Sequence, residues 1–412
     1  MELKPGYKQT EVGVIPEEWE VCPVERKGQV MAGKALAVHA PGEQKPYLRT
    51  KNVFDGRIDI DDVLTMPMTE EQFAQFQLRH GDVLLNEGQS LELVGRCSIY
   101  KDDYPAPCAI QNALLRFRPR PETSASFASH LFRNCQKTGV FAKIALQTTS
   151  VAHLGSSRFA SLRLAWPTTN EQIAIAAALD DIDHLIKSLD DLITKKRGIK
   201  QAAMQELLTG KRRLPGFEGE WEEFSLGSVA SMNSGGTPPT GRDDYYGGGI
   251  PWVSISDMTS GGKFISQTER TLSAAGLANC AAKQFPSGTV LYAMYASLGE
   301  CSIAATEVTS SQAILGIRPG ASLHNEFLFY CLSSIHDKVK LMGQQGTQSN
   351  LNKGIVQGFT LSLPGKAEQI AIAEALGEID QELDALSMKA QKIREMKAGM
   401  MQELLTGRIR LR

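Results

Sequence analysis

The sequence lacks most of what would mark a secreted, membrane-bound or metal-bearing chain. Its seven cysteines are odd in number and scattered over Cys22, Cys97, Cys108, Cys135, Cys280, Cys301 and Cys331. No two stand at the two-residue gap of metal and redox sites, so they read as reduced thiols, mostly in cores. The seven histidines form no HxxxH pair, which removes a helical zinc site. No apolar run nears the ~18 residues of a membrane span, and the opening MELKPGYKQT lacks the basic-then-apolar plan of a signal peptide. The expectation is a soluble, cytoplasmic protein. Charge of either sign is not in excess: 44 Lys+Arg face 46 Asp+Glu, a net of -2, which alone neither requires nor forbids a polyanionic partner. Hydrophobic content of 42% and charged content of 22% over 412 residues exclude wholesale disorder and leave room for roughly two to three domains.

Catalytic signatures are missing too. There is no GxxxxGK[ST] phosphate loop, no GxGxxG after a strand, no GxSxG elbow, no HExxH, and no Asn-Pro-Pro-aromatic tetrapeptide of amino-methyltransferases. Gly247, Gly248 and Gly249 read as a turn. We therefore expect no catalytic residue and no metal or cofactor of this chain's own. The rival is a standalone or fused DNA methyltransferase or nuclease with an unrecognised active site.

What is present is a repeat. Residues 171–214 align without a gap on 368–411, identical at 23 of 44 positions. Both blocks open with EQIAIA and close with MQELLTG. Fainter echoes precede each block in the same order: Pro46-Tyr47-Leu48 with Pro251-Trp252-Val253, Gly81 to Leu84 with Gly288 to Leu291, and Cys97-Ser98-Ile99 with Cys301-Ser302-Ile303. The chain thus reads as two copies of a unit of about 200 residues. Its parts are a first variable domain (1–167), a helix with linker (168–214), a second variable domain (215–364) and a second helix (365–412). The variable domains mix short β-rich runs with Gly, Pro, Asn and Asp turns, which predicts an α+β fold with more strand than helix.

Each similar block predicts one long helix. Thr168 with Glu171 three residues on reads as a capping box, and Gly210 and Gly407 read as stops. Ile175, Leu179, Ile182, Ile186, Leu189 and Ile193 fall at gaps of four and three; Ile372, Leu376, Ile379, Leu383, Leu386 and Ile393 keep the same phase. That is a coiled-coil seam, weakened toward its C-terminal half by lysines such as Lys196, Lys200 and Lys397. Two matched seams in one chain predict mutual, antiparallel pairing, a rod of about 57 Å at 1.5 Å per residue with one variable domain at either end. Asp180-Asp181 and Asp190-Asp191 fall off the seam and read as solvated faces.

Polar loops supply the candidate chemistry. Arg suits guanine edges, and Asn or Gln suits adenine. Shortly before each long helix the chain carries Gln147, Thr148, Thr149, Ser150 and His153 ahead of Leu154. Its second copy carries Gln344, Gln345, Thr347, Gln348, Ser349 and Asn350 ahead of Leu351. After each Pro-aromatic strand come Arg49, Thr50, Lys51 and Asn52, or Ser254, Ser256 and Asp257. After each glycine-led strand come Asn86, Glu87, Gln89 and Ser90, or Tyr292, Tyr295 and Ser297. These are the candidate DNA-binding residues. Residues 215–367 hold 9 Lys+Arg against 12 Asp+Glu, so a second domain that binds DNA needs a partner to neutralise part of the phosphate charge.

Taken together, these residues resemble the specificity subunits of type I restriction-modification enzymes over essentially the whole chain. The resemblance is carried by Thr10-x-x-Gly13-x-Ile15-Pro16-x-x-Trp19, by Gly235-Gly236-Thr237-Pro238 through Tyr245-Tyr246-Gly247-Gly248 to Ile250-Pro251-Trp252, and by the twin EQ starts and QELLTG ends. It implies two target-recognition domains that each read half of a split asymmetric double-stranded DNA site, joined by helices that dock two modification (methyltransferase) subunits. It also implies that restriction (motor and nuclease) subunits join, and that S-adenosylmethionine, ATP and Mg belong to the partners. The first domain departs from the pattern: Ala32-Gly33-Lys34-Ala35 stands where the second has its GGTP element.

Overall fold

The computed structural model describes residues 5–37, 39–148, 150–345 and 350–411. Contacts divide the chain into two compact units, Met1–Asp190 with Met388–Arg412, and Asp191–Ser387. The central helix runs Thr169–Leu207 and the C-terminal helix Lys366–Leu404. Each unit therefore owns part of both helices and one mixed α+β domain.

Within unit one the helices run antiparallel. Asp183 pairs with Lys397, and Asp190 with Arg394 at 2.5 Å, one number rising as the other falls. Within unit two Lys196 reaches Glu382 at 2.7 Å and Lys200 reaches Asp380 at 2.6 Å, in the same sense. The lysines that interrupt the seam thus find carboxylates on the facing helix. Lys200–Asp380 is the image of Lys397–Asp183 at the repeat offset of 197.

The apolar stripe does two different jobs. Ile175 and Leu179 join the core of unit one beside Trp19, Phe127 and Trp166. Ile372 and Leu376 likewise join the core of unit two beside Phe327 and Leu328. Leu189 and Ile193 are buried, whereas Ile182, Ile186, Ile379, Leu383, Leu386 and Ile393 are only half-buried. A two-helix seam covers a stripe from one side. Ile175, Leu179, Ile372 and Leu376 are covered where a domain closes over the stripe, at roughly 1.5–3 kcal/mol per large apolar side chain, whereas Leu189 and Ile193 are buried outside those domain cores.

Both domains share a strand plan. In unit one the main sheet is ordered Cys97–Ile99, Val83–Asn86, Leu114–Pro119, Gly28–Ala32, all antiparallel. In unit two it is ordered Ala230–Ser234, Ile314–Pro319, Val290–Ala293, Cys301–Ala304, with Phe264–Ile265 added in parallel at the edge. The Pro-aromatic strand Glu43–Leu48 lies between Leu64–Met68 (antiparallel) and Ala109–Ile110 (parallel). Tyr246–Val253 lies in the same way between Arg270–Leu272 and Thr309–Ser310. The central strands Val83–Asn86 and Val290–Ala293 are buried on both faces, and strand period two sorts their side chains. Val83 and Leu85 enter one cluster and Leu84 another; Val290 and Tyr292 enter one, Leu291 and Ala293 another.

A helix backs each main sheet and leans on a long helix. Ala125–Lys137 is capped by Ser124, whose Oγ accepts from the Phe127 N–H at 3.2 Å. It gives Phe127, Leu131 and Phe132 to the core and holds Asp180 through Ser126 Oγ (2.6 Å) and His130 Nε2 (2.8 Å). In unit two the helix Asn325–Ser334 does this through Tyr330 Oη, which donates to Asp380 at 2.7 Å. Asp180 is therefore an anchoring residue rather than part of a solvated face. Burial opposes its charge, yet His130 and Ser126 hold its carboxyl below the usual range.

Glu171 also departs from expectation. Its carboxylate, 3% exposed, accepts from Trp19 Nε1 at 2.9 Å and from Arg410 at 2.6 and 2.8 Å instead of capping its own helix. Glu368 takes Arg213 in the same bidentate way at 2.5 and 2.6 Å. Gly407 ends the C-terminal helix at φ +72°, and a Cβ there would stand 2.5 Å from Pro16 Cδ, so the turn needs glycine twice over.

The GGTP stretch is architectural. Gly236 O accepts from Trp252 Nε1 at 3.0 Å, and Pro238 O accepts from Tyr246 Oη at 3.0 Å. Six of the seven cysteines are buried and Cys280 is half-buried. No helix among the described residues is long and apolar enough to cross a membrane.

Candidate nucleic-acid interface

In unit one the fold brings two of the three polar segments into one small sheet. Gly88–Gln89 pairs with Ala152–His153, which pairs with Leu146–Gln147. Gln89 and Gln147 thus flank Ala152 from either side. The frame is made by backbone: Glu87 N–H donates to Ala113 O at 2.9 Å and Leu154 N–H donates to Glu87 O at 2.8 Å. Ser90, Gln147, Thr148 and Ser150 are exposed, and Thr148 Oγ1 donates to Val151 O at 3.1 Å. Thr149 lies outside the described residues.

Several candidates hold the loops instead of facing outward. Asn52 is buried: its Nδ2 donates to Asp59 O and Asp62 O, and its Oδ1 accepts from Arg49 N–H. Asn86 is fully buried and donates to Val53 O at 3.2 Å, tying the segment after the glycine-led strand to the one after the Pro-aromatic strand. Arg49 and Lys51 share Asp62 at 2.7 and 2.6 Å, which leaves Lys51 the exposed cation of that segment, beside a half-buried Thr50.

Unit two repeats the frame with other side chains. Met294 N–H donates to Ala313 O at 2.8 Å and Leu351 N–H donates to Met294 O at 3.0 Å. Asn350 and Tyr295 are exposed, the latter at 38%, and Ser297 is half-buried. Tyr292 instead lies inside the core, edge-on to Phe359 at 6.2 Å, with burial pushing its hydroxyl well above the usual range. Ser254 caps the helix Ile255–Gly261 and donates to Asp257 Oδ2 at 2.6 Å; the buried Asp257 also accepts from Glu269 N–H, so this pair is structural and Ser256 is its exposed neighbour. Gln344 and Gln345 lie in the last turn of His336–Gln345. Thr347, Gln348 and Ser349 lie outside the described residues.

Sequence reasoning missed Arg158. Its guanidinium donates to His153 O at 2.7 Å and Leu154 O at 3.1 Å, bracing the loop from behind. The repeat gave no signal for it, because Ile355 stands at the matching place. It missed Arg96 as well, which donates to Val53 O and lies over Phe54 at 4.7 Å. No group of three His, Cys, Asp or Glu side chains among the described residues is placed to hold a metal ion.

Comparison with known proteins follows the same two-fold division. A family model described as the type I restriction modification DNA specificity domain matches twice, at residues 16–195 and 218–395. The putative type I restriction enzyme MjaX specificity subunit of Methanocaldococcus jannaschii is 25% identical over 99% of this chain and 97% of its own length. The MjaVIII specificity subunit of the same organism is 23% identical over 97% and 94%. Among solved structures, a chain from a type I R-M system aligns over 96% of this chain and 99% of its own at TM-score 0.62 and 18% identity. The S subunit from M. genitalium aligns over 98% of both chains at TM-score 0.57 and 14% identity. These two likenesses speak for the fold.

Proposed function

The chain belongs to the family of type I restriction-modification specificity subunits, the non-catalytic DNA-specificity component of such systems, and from that premise we propose that it reads a bipartite, asymmetric double-stranded DNA site, one half-site per unit. The observation that carries this reading is the doubled frame. Glu87 and Leu154 in unit one, and Met294 and Leu351 in unit two, make the same pair of backbone hydrogen bonds. The side chains presented beside them differ: Gln89, Gln147 and His153 in one, Tyr295, Ser297 and Asn350 in the other. A repeated frame with unlike polar groups suits two readers of unlike sequence, since base edges are told apart by donor and acceptor pattern.

Partners follow from the same reading. Two modification subunits bring S-adenosylmethionine and methylate adenine on the site this chain selects; restriction subunits bring ATP, Mg and cleavage. Phosphate contacts come partly from those partners, because the variable region of unit two carries no excess of Lys and Arg. The test is to co-express the chain with modification subunits and map methylated adenines across a genome. The expected result is one split motif with two unlike halves. A single continuous motif, or none above background, contradicts the proposal.

A further inference from the structure

We propose that His153, with Glu87 as its positioning residue, reads a hydrogen-bond donor on a base edge, the exocyclic amine of adenine or cytosine, in the half-site taken by unit one. The inference rests on the DNA-recognition reading above.

The geometry begins with the ring. His153 Nδ1 lies 3.0 Å from Glu87 Oε2. An ionised carboxylate offers only acceptors, so in the neutral imidazole the proton sits on Nδ1 and Nε2 is left as an acceptor. Among the described residues Nε2 has no hydrogen-bond partner, and the side chain is 44% exposed, against 19% for Glu87. The ring is held as well as polarised. Arg158 fixes the His153 carbonyl, and the Leu154 N–H fixes that of Glu87. Gly88 makes room: a Cβ there would stand 3.3 Å from His153 Cε1 and 3.4 Å from Nδ1, close enough that the ring would have to give by a few tenths of an ångström.

The surroundings suit a covered contact. Leu146, across the strand pair from His153, is 61% exposed, and Val151 is exposed beside Gly88. A base edge seated against this apolar surface loses water, which raises the cost of a mismatched polar pair. Facing Nε2, the amine of adenine or cytosine makes a hydrogen bond, whereas the carbonyl of guanine or thymine sets acceptor against acceptor. Unit two provides the contrast. Asn350 precedes the framed Leu351 as His153 precedes Leu154, and Met294 stands where Glu87 does. An amide carries both a donor and an acceptor and needs no neighbour to choose its tautomer.

The experiment uses the chain in complex with its modification subunits, selecting at pH 8 from DNA randomised one position at a time within the mapped site. Wild type is expected to favour an amino base over a keto base about tenfold at one position of a single half-site. His153→Ala should erase that preference. Glu87→Ala should reduce it to within about twofold, because the ring is then free to carry its proton on either nitrogen. Glu87→Gln, whose carbonyl can accept from Nδ1–H, should restore it, and Glu87→Lys, a donor only, should turn it toward keto bases. Every other position should keep its wild-type preference. A keto base preferred by wild type at the His153-sensitive position overturns the inference, as does an unchanged profile in His153→Ala or a uniform loss at all positions. A wild-type complex without any site preference overturns the recognition reading itself, and this inference with it.

Discussion

Replacing Arg410 by Met strips the strongest partner from a buried carboxylate. Glu171 is 3% exposed and is held by two hydrogen bonds from Arg410 and one from Trp19. Removing one member of a buried pair costs roughly 3–5 kcal/mol, because the remaining charge is left uncompensated. Two features reduce that figure here. The Trp19 N–H remains, and the Arg410 side chain is 13% exposed, so part of its attraction is already screened. We expect a loss of about 2–3 kcal/mol in the unfolding free energy of unit one, read by urea titration of tryptophan fluorescence. Trp19, a direct ligand of Glu171, reports on it. The double variant Arg410→Met with Glu171→Gln removes the orphaned charge and should recover at least half of the loss. A single-variant loss under about 0.5 kcal/mol, or a double variant no better than the single, would refute the argument that this clasp ties the chain ends into unit one.

Three other outcomes are expected. Leu189→Ala should cost unit one about 2–3 kcal/mol by urea titration, and Leu386→Ala should cost unit two about half as much, because the first side chain is buried and the second half-buried; equal costs would count against the burial pattern. Lowering pH should loosen unit one through Asp183. Burial opposes its charge, but Lys397 and Arg133 hold its carboxyl below the usual range, so its contribution is full above the unfolded pKa near 4 and is lost as pH falls further. Asp183→Asn should flatten that acid dependence, and an unchanged acid limb would contradict the assignment. Under native conditions a thiol reagent should modify Cys280 first. The buried Cys108, Cys135 and Cys331, each pushed up to about 12, should react only on unfolding, and early labelling of any of them by mass spectrometry would contradict the core placement.

The helices and the duplication were the most legible part of the chain, because a heptad period sustained over a long run has few competing explanations. The period alone does not say what covers the stripe. Ile175 and Ile182 occupy equivalent seam positions, yet the first lies in a domain core and the second is half-buried. Residue types likewise marked the polar loops, but not which groups look outward. Asn52, Asn86 and Asp257 share the chemistry of base readers and instead bond to the protein's own backbone. Short Asn and Asp side chains reach neighbouring backbone easily, and only the folded path decides whether they do. Glu87 and His153 are 66 residues apart, and no local pattern joins them. Pairing strands across the sheet does.

If each unit reads its own half of a split site, exchanging residues 215–364 for the corresponding segment of a family member that directs a different motif should change one half alone. The hybrid would be co-expressed with modification subunits and methylated adenines mapped genome-wide. The account predicts a new split motif in which one half is replaced and the other half is that of the parent. Two changed halves, or two unchanged halves in a folded and active complex, would contradict it.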